Sequence, residues 1–109
     1  MHEIPQLGKI YDCFDDGKIN KGRQYKVKVE SVISFDEIDN ETLELWEREV
    51  DDCPFLYRKN TDFFAIGMNE KLNKKEIFVR TTDNGWFGIG GFLSCGRLDI
   101  NGSLVKLLS

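Results

Sequence analysis

Between Arg23 and Cys53 the spacing of apolar side chains changes once, and that change constrains the fold more than any other feature. From Arg23 to Phe35 apolar and polar residues alternate. Tyr25, Val27, Val29, Ile33 and Phe35 share one parity, with Ser31 as the one polar member, while Lys26, Lys28 and Glu30 hold the other. Successive side chains of a strand point to opposite faces, so this pattern predicts a strand with one face buried and one in water. From Asp39 to Cys53 the interval becomes three and four: Leu43, Trp46, Val50 and Cys53 recur at helical spacing, with Leu45 flanking the stripe. Asp39 or Asn40 can cap the start, because their side-chain oxygens accept bonds from the first free backbone N–H groups. Pro54 ends the helix, since the residue before a proline is pushed out of the α region.

The remaining segments read as strands. Gly8–Phe14 is one, ended by the turn Asp15-Asp16-Gly17-Lys18. Asp62–Met68 is apolar on both faces, and Glu76–Thr82 is similar and rich in β-formers. Asn69–Lys75 suits a hairpin loop. Asn84-Gly85 and Asn101-Gly102 are dipeptides favoured in type I′ turns, and the second joins Arg97–Ile100 to Ser103–Leu107. The expected order is β-β-α-β-β-β-β. That is an α+β fold: a small curved antiparallel sheet or partial barrel of five to six strands, with the single helix covering one face or plugging one end. The 109 residues make one domain's worth of chain, so residues 1–109 are expected to form a single α+β domain.

The stretch NGWFGIGGFLSCG, residues 84–96, holds five glycines. A dinucleotide-binding turn needs GxGxxG opening a helix after a strand. Here Gly88-Ile89-Gly90 is followed by Gly91, Phe92 and Leu93, so the third glycine is missing. A phosphate-cradling P-loop needs Gly-Lys-Ser/Thr, which the chain lacks. Apolar residues with interspersed glycines instead describe a strand that bends, bulges, or lets another backbone come close.

Other chemistry is equally sparse. Cys13, Cys53 and Cys95 are widely spaced and form no CxxC pair, so they read as small buried side chains rather than zinc ligands or a nucleophile. The single histidine, His2, sits at a terminus expected to fray. Asp12, Asp15 and Asp16 cluster at a turn and offer a metal-dependent hydrolase as a minor alternative; turn aspartates more often bond their own backbone. No cofactor and no metal are expected. No apolar run approaches ~18 residues, and the N-terminus has neither a basic nor an apolar signal-peptide region, so a soluble cytoplasmic protein without membrane contact is expected.

Charge is the most informative remaining feature. Residues 36–52 hold nine acids and one base, Arg48, so they carry −8; the whole chain carries −4, which leaves +4 elsewhere. Acids at a helix start complement its dipole, but Glu49, Asp51 and Asp52 sit at the wrong end, where each costs roughly 0.3–1 kcal/mol. Arg58 and Lys59 are candidates to relieve them. Leu43, Trp46 and Val50 are expected to face the sheet. Glu44, Glu47, Asp51 and Asp52, with Glu41 at the margin, form the candidate surface for a basic protein partner such as a nuclease, their carboxylates standing in for phosphates. A second charged stripe holds Lys18, Lys21, Arg23, Lys26 and Lys28. Tyr25 lies on the opposite parity from Lys26 and Lys28, and the chain is acidic overall, so direct nucleic-acid binding is not favoured.

The stretches FDDGKI, FDEID, FVRTTDNGWFGIG and GRLDINGSL resemble those of small uncharacterised proteins of phages and other mobile elements. Proteins of that size and acidity include anti-defence inhibitors of the anti-CRISPR type. The resemblance implies a non-enzymatic inhibitor or adaptor that binds the basic groove of a nuclease, and it carries no functional residue with it. An alternative is an SH3-like small-barrel module that grips a peptide or nucleic acid through exposed Trp86 or Tyr57.

Overall fold

The computed structural model describes residues 2–15, 23–91, 96–102 and 104. Six strands and one helix follow one another as β1 (Ile10–Asp15), β2 (Gln24–Ser34), α1 (Asn40–Val50), β3 (Thr61–Asn69), β4 (Lys74–Thr81), β5 (Trp86–Gly90) and β6 (Gly96–Asp99). Short 3-10 turns at Phe35–Glu37, Pro54–Leu56 and Arg58–Asn60 flank the helix. Each strand pairs antiparallel with the next, and β6 returns to pair with β1 from Asp12↔Asp99 to Asp15↔Gly96. The sheet is thus a closed six-stranded barrel rather than an open or partial one. Closure gives both outer strands a partner, which removes the exposed edges an open sheet would present.

The alternation of side chains builds two cores. Inside the barrel, every strand contributes: Tyr11 and Cys13 from β1, Val27 and Val29 from β2, then Ala65, Phe78, Trp86 and Leu98 from β3 to β6. Outside, Phe64, Ile77, Val79, Phe87 and Ile89 of β3, β4 and β5 form a second apolar layer with Leu56. Leu45, Trp46, Val50, Cys53 and Phe55 pack onto that layer from α1 and the turn after it. This explains why Asp62–Met68 and Glu76–Thr82 are apolar on both faces: they have a core on each side.

Two local irregularities overturn simple periodicity. The register of β2 against β3 shifts between Val29 and Ser31, which marks a bulge at Glu30. One inserted residue flips the parity of everything beyond it. Val32 therefore pairs with Ala65 and packs against the interior, whereas Phe35 joins the outer layer with the helix. The expectation that Ile33 and Phe35 share a face with Val27 and Val29 fails for that reason. In β5 the register against β4 shifts between Phe78↔Gly88 and Ile77↔Gly90, so the Trp86–Gly90 part of the glycine-rich stretch is a bulged strand, as its composition suggested, while residues 92–95 lie outside the described residues.

The glycines there serve close approach. A Cβ on Gly90 would meet Leu45 Cδ1 at 3.0 Å, so its absence lets α1 settle on the sheet. Gly91 has φ +90°, and a Cβ there would lie 2.1 Å from the Lys75 carbonyl oxygen. The expected type I′ turns are not formed, because only the glycines of the two Asn-Gly pairs have positive φ, Gly85 at 69° and Gly102 at 77°. The β4–β5 loop is instead closed by Thr81, whose hydroxyl donates to the Gly85 carbonyl at 2.8 Å and accepts from Asn84 N–H at 3.0 Å. The strand expected over Ser103–Leu107 lies outside the described residues except for Leu104, which is not in a strand.

The N-terminal segment is held against the barrel by its backbone. Trp86 Nε1 donates to the Glu3 carbonyl at 2.7 Å, Arg80 Nη1 to the His2 carbonyl at 2.8 Å, and Gln6 N–H to Tyr11 Oη at 2.8 Å. His2 is exposed, yet its carbonyl is tied down. Arg80 is itself fixed by a two-pronged pair with Asp62, at 2.9 and 2.7 Å.

Two expectations follow. Gly91→Ala should destabilise the fold by more than about 1 kcal/mol, because alanine disfavours positive φ and its methyl group has no room; chemical denaturation checks this. The hydrogen bonds from Arg80 hold the Asp62 carboxyl below the usual carboxylate range. A depressed folded-state pKa stabilises the protein above the unfolded value of about 4 and loses that contribution as pH falls through the folded value. Asp62→Asn should therefore be less stable at neutral pH and lose less stability on acidification below about pH 4, as melting temperatures across pH would report.

Candidate functional site

Helix α1 starts on a cap and ends against a proline turn. Asp39 accepts the Thr42 N–H at 2.8 Å. Hydrogen bonds from the Thr42 hydroxyl and backbone hold the Asp39 carboxyl below its ordinary value. Trp46 seats the helix: its Nε1 donates to the Leu56 carbonyl at 2.8 Å, and its ring meets Phe35 edge-on at 4.9 Å. The buried stripe runs through Thr42, Leu45, Trp46, Val50 and Cys53. Leu43 is not part of it, contrary to expectation. A contact at Leu45 lies about 100° from Trp46 on one side, and Leu43 lies beyond Val50 on the other. The threonine at position 42, a polar residue by composition, completes the face.

On the outward side, Glu44, Glu47, Arg48 and Asp51 line one shallow open depression. All four are exposed, as are Glu41 and Asp52. Among the described residues, none of these acids lies within ion-pairing distance of a base. Arg58, expected to relieve the C-terminal acids, is engaged elsewhere. It pairs with Asp36 at 3.3 Å, donates to the Thr61 carbonyl at 2.9 Å, and lies 4.2 Å from the Phe35 ring centroid. The exposed carboxylates of this face therefore outnumber its one base, Arg48, and form no ion pair with it.

The other candidate groups separate. Cys13 is fully buried, and burial first, then the nearby charges of Glu76 and Asp15, pushes its thiol far up, which disfavours the reactive thiolate. Asp12 pairs across the strands with Lys26, and the hydrogen bond from Lys26 holds its carboxyl below the usual range. Asp16 lies outside the described residues, as do Lys18, Lys21 and Cys95. Among the described residues no group of His, Cys, Asp and Glu is placed to hold a metal ion. Trp86 is 1% exposed and belongs to the barrel interior, so it cannot grip a peptide; Tyr57 is 46% exposed. The alternating pattern gave no sign of this, because Trp86 directly follows the turn residues Asn84-Gly85 and the next residue, Phe87, is also apolar. No described helix is long and apolar enough to cross a membrane.

Compared with known proteins, the chain matches no family model and no solved structure. It is similar to part of the serine/threonine-protein kinase TEL1 of Saccharomyces cerevisiae, with 33% identity over 92 residues. The match covers 83% of this chain and 3% of the kinase, so the chain spans about 3% of the length of the relative it matches. A stretch that short does not carry the kinase's activity with it.

The seating of α1 gives a direct test. Trp46→Ala should destabilise the protein by about 2–4 kcal/mol, somewhat below the loss from a fully buried tryptophan, because the ring is only partly covered. Urea denaturation followed by circular dichroism measures it.

Proposed function

We propose that this chain is a small non-enzymatic binding protein, an inhibitor or adaptor, whose acidic helix face docks a basic protein partner. One observation supports the reading above the rest: Glu44, Glu47 and Asp51 project together from the side of α1 opposite its buried stripe, three acids beside the single base Arg48, with none of them in an ion pair among the described residues. Such a face creates a negative potential that steers a basic partner into encounter. The resemblance to small phage and mobile-element proteins points the same way, toward an anti-CRISPR-like inhibitor acting on a basic nucleic-acid-binding groove such as that of a nuclease. Glu41 and Asp52 extend the face at its margins. Cytoplasmic placement belongs to the same reading.

Reversing Glu44, Glu47 and Asp51 to lysine should leave the circular dichroism spectrum intact, since all three are exposed. The triple variant should lose the partner in pull-downs from a bacterial lysate, mainly through slower association, and wild-type capture should weaken as salt rises. Full retention of every partner by a folded triple variant would remove the acidic face as the docking surface.

A further inference from the structure

The first residues of β2 and the loop after β3 meet at one rim of the barrel. They enclose a pocket of about 370 Å³ lined by Arg23, Tyr25, Lys26, Asn69, Lys71 and Leu72, among others. Strand alternation sets Tyr25 on the opposite face from Lys26. At a barrel rim that separation lapses, because the interior opens there and inward and outward side chains border the same concavity. The strand pattern alone therefore hid a site where an aromatic ring and three bases converge.

We infer that this rim pocket binds single-stranded nucleic acid, taking one splayed base between Tyr25 and Leu72 and neighbouring phosphates on Arg23, Lys26 and Lys71. Charge complementarity selects a polyanion. Lys26 is shared with Asp12, whereas Arg23 and Lys71 are exposed. The positive surface continues along the outer wall, where the strand register aligns Lys28, Met68 and Lys75 in one row. The apolar walls select for a base as well as a charge, since every base has a face that stacks on an aromatic ring. Asn69 supplies the floor: its Oδ1 accepts the Leu72 N–H at 3.3 Å, while its Nδ2 is buried without an acceptor. A buried donor left unsatisfied is unfavourable, and a base carbonyl or ring nitrogen reaching the floor would satisfy it. Duplexes keep their bases stacked, so a concave site of this kind suits a single strand. The acidic face of α1 takes no part in this binding.

Fluorescence anisotropy with a short fluorescein-labelled oligothymidylate at low salt tests the proposal. Micromolar binding is expected, with an affinity that falls as salt rises by about 0.7 log units per phosphate contact for each log unit of salt. Arg23→Glu and Lys71→Glu should each weaken binding about tenfold and lower the salt slope, while Lys59→Glu, an equal charge change on a remote exposed turn, should alter it by less than about threefold. Tyr25→Leu, checked for folding by circular dichroism, should also weaken binding by about tenfold through lost stacking. The proposal is overturned if wild-type protein gives no anisotropy change, or if Lys59→Glu weakens binding as much as Lys71→Glu. It is equally overturned if the same sequence as a duplex binds as well, or if polyglutamate or inorganic phosphate at matched charge displaces the strand.

Discussion

The wall formed by β3, β4 and β5 has to be apolar on both surfaces, and the rest of the structure depends on it. Its inner side chains, Ala65, Phe78 and Trp86, close the barrel core; its outer ones, Phe64, Val79 and Phe87, are covered by α1 together with Phe35, Phe55 and Leu56 of the turns that flank it. A strand wall of this kind cannot stand in water on its outer side without a cover, because its apolar area would contribute about 25 cal/mol per Å² against folding if left exposed. The helix therefore has one place to sit. Gly90 allows it to sit close, and Trp46 fixes its rotation through the Leu56 carbonyl. Once rotation is fixed, the direction in which Glu44, Glu47 and Asp51 project is fixed as well. The acidic face is a consequence of the double-sided wall.

How far such an arrangement can be read from sequence depends on whether a feature is local. The helix, its Asp39 cap and the order of the elements are local, and they were legible, although the helix ends at Val50 and not at the Cys53 that Pro54 had suggested. The exposure of Glu44, Glu47 and Asp51 followed from helical spacing alone. The parity of β2 beyond Val29 was not legible, because a bulge at Glu30 depends on how β3 meets it rather than on the residues of β2. Leu43 and Leu45 are both leucines at plausible positions; only the location of Gly90 opposite Leu45 decides between them. Closure of the barrel needs β6 to find β1 across most of the chain, which no short window of sequence encodes. The rim pocket was hidden by the same gap, since Arg23 and Lys71 belong to elements whose adjacency is set by the β2–β3 register.

The two charged regions differ in what they ask of the fold. Lys26 contributes to it, pairing with Asp12 across β1 and β2, so part of the basic rim is also structural. The acids of α1 do not. The cap is provided by Asp39 and the seat by Leu45, Trp46 and Val50, and the helix ends at Val50, ahead of the turn that opens on Pro54. Glu49, Asp51 and Asp52 oppose the helix dipole, each at roughly 0.3–1 kcal/mol where exposed. Arg48 in the last turn is the one base near them and pairs with none of them, and Arg58 beyond the helix is held by Asp36 and by the Phe35 ring. Glu44, Glu47, Asp51 and Asp52 are thus carried by a helix that would fold without them, and those at its C-terminal end reduce its stability. A solvated face needs only some charge to stay in water, and Arg48 or a neutral polar residue would serve that end without opposing the dipole. An excess of acids over one base, partly placed where it disfavours the helix and outside ion-pairing distance of any base among the described residues, supports the proposal that counter-charge comes from outside the chain.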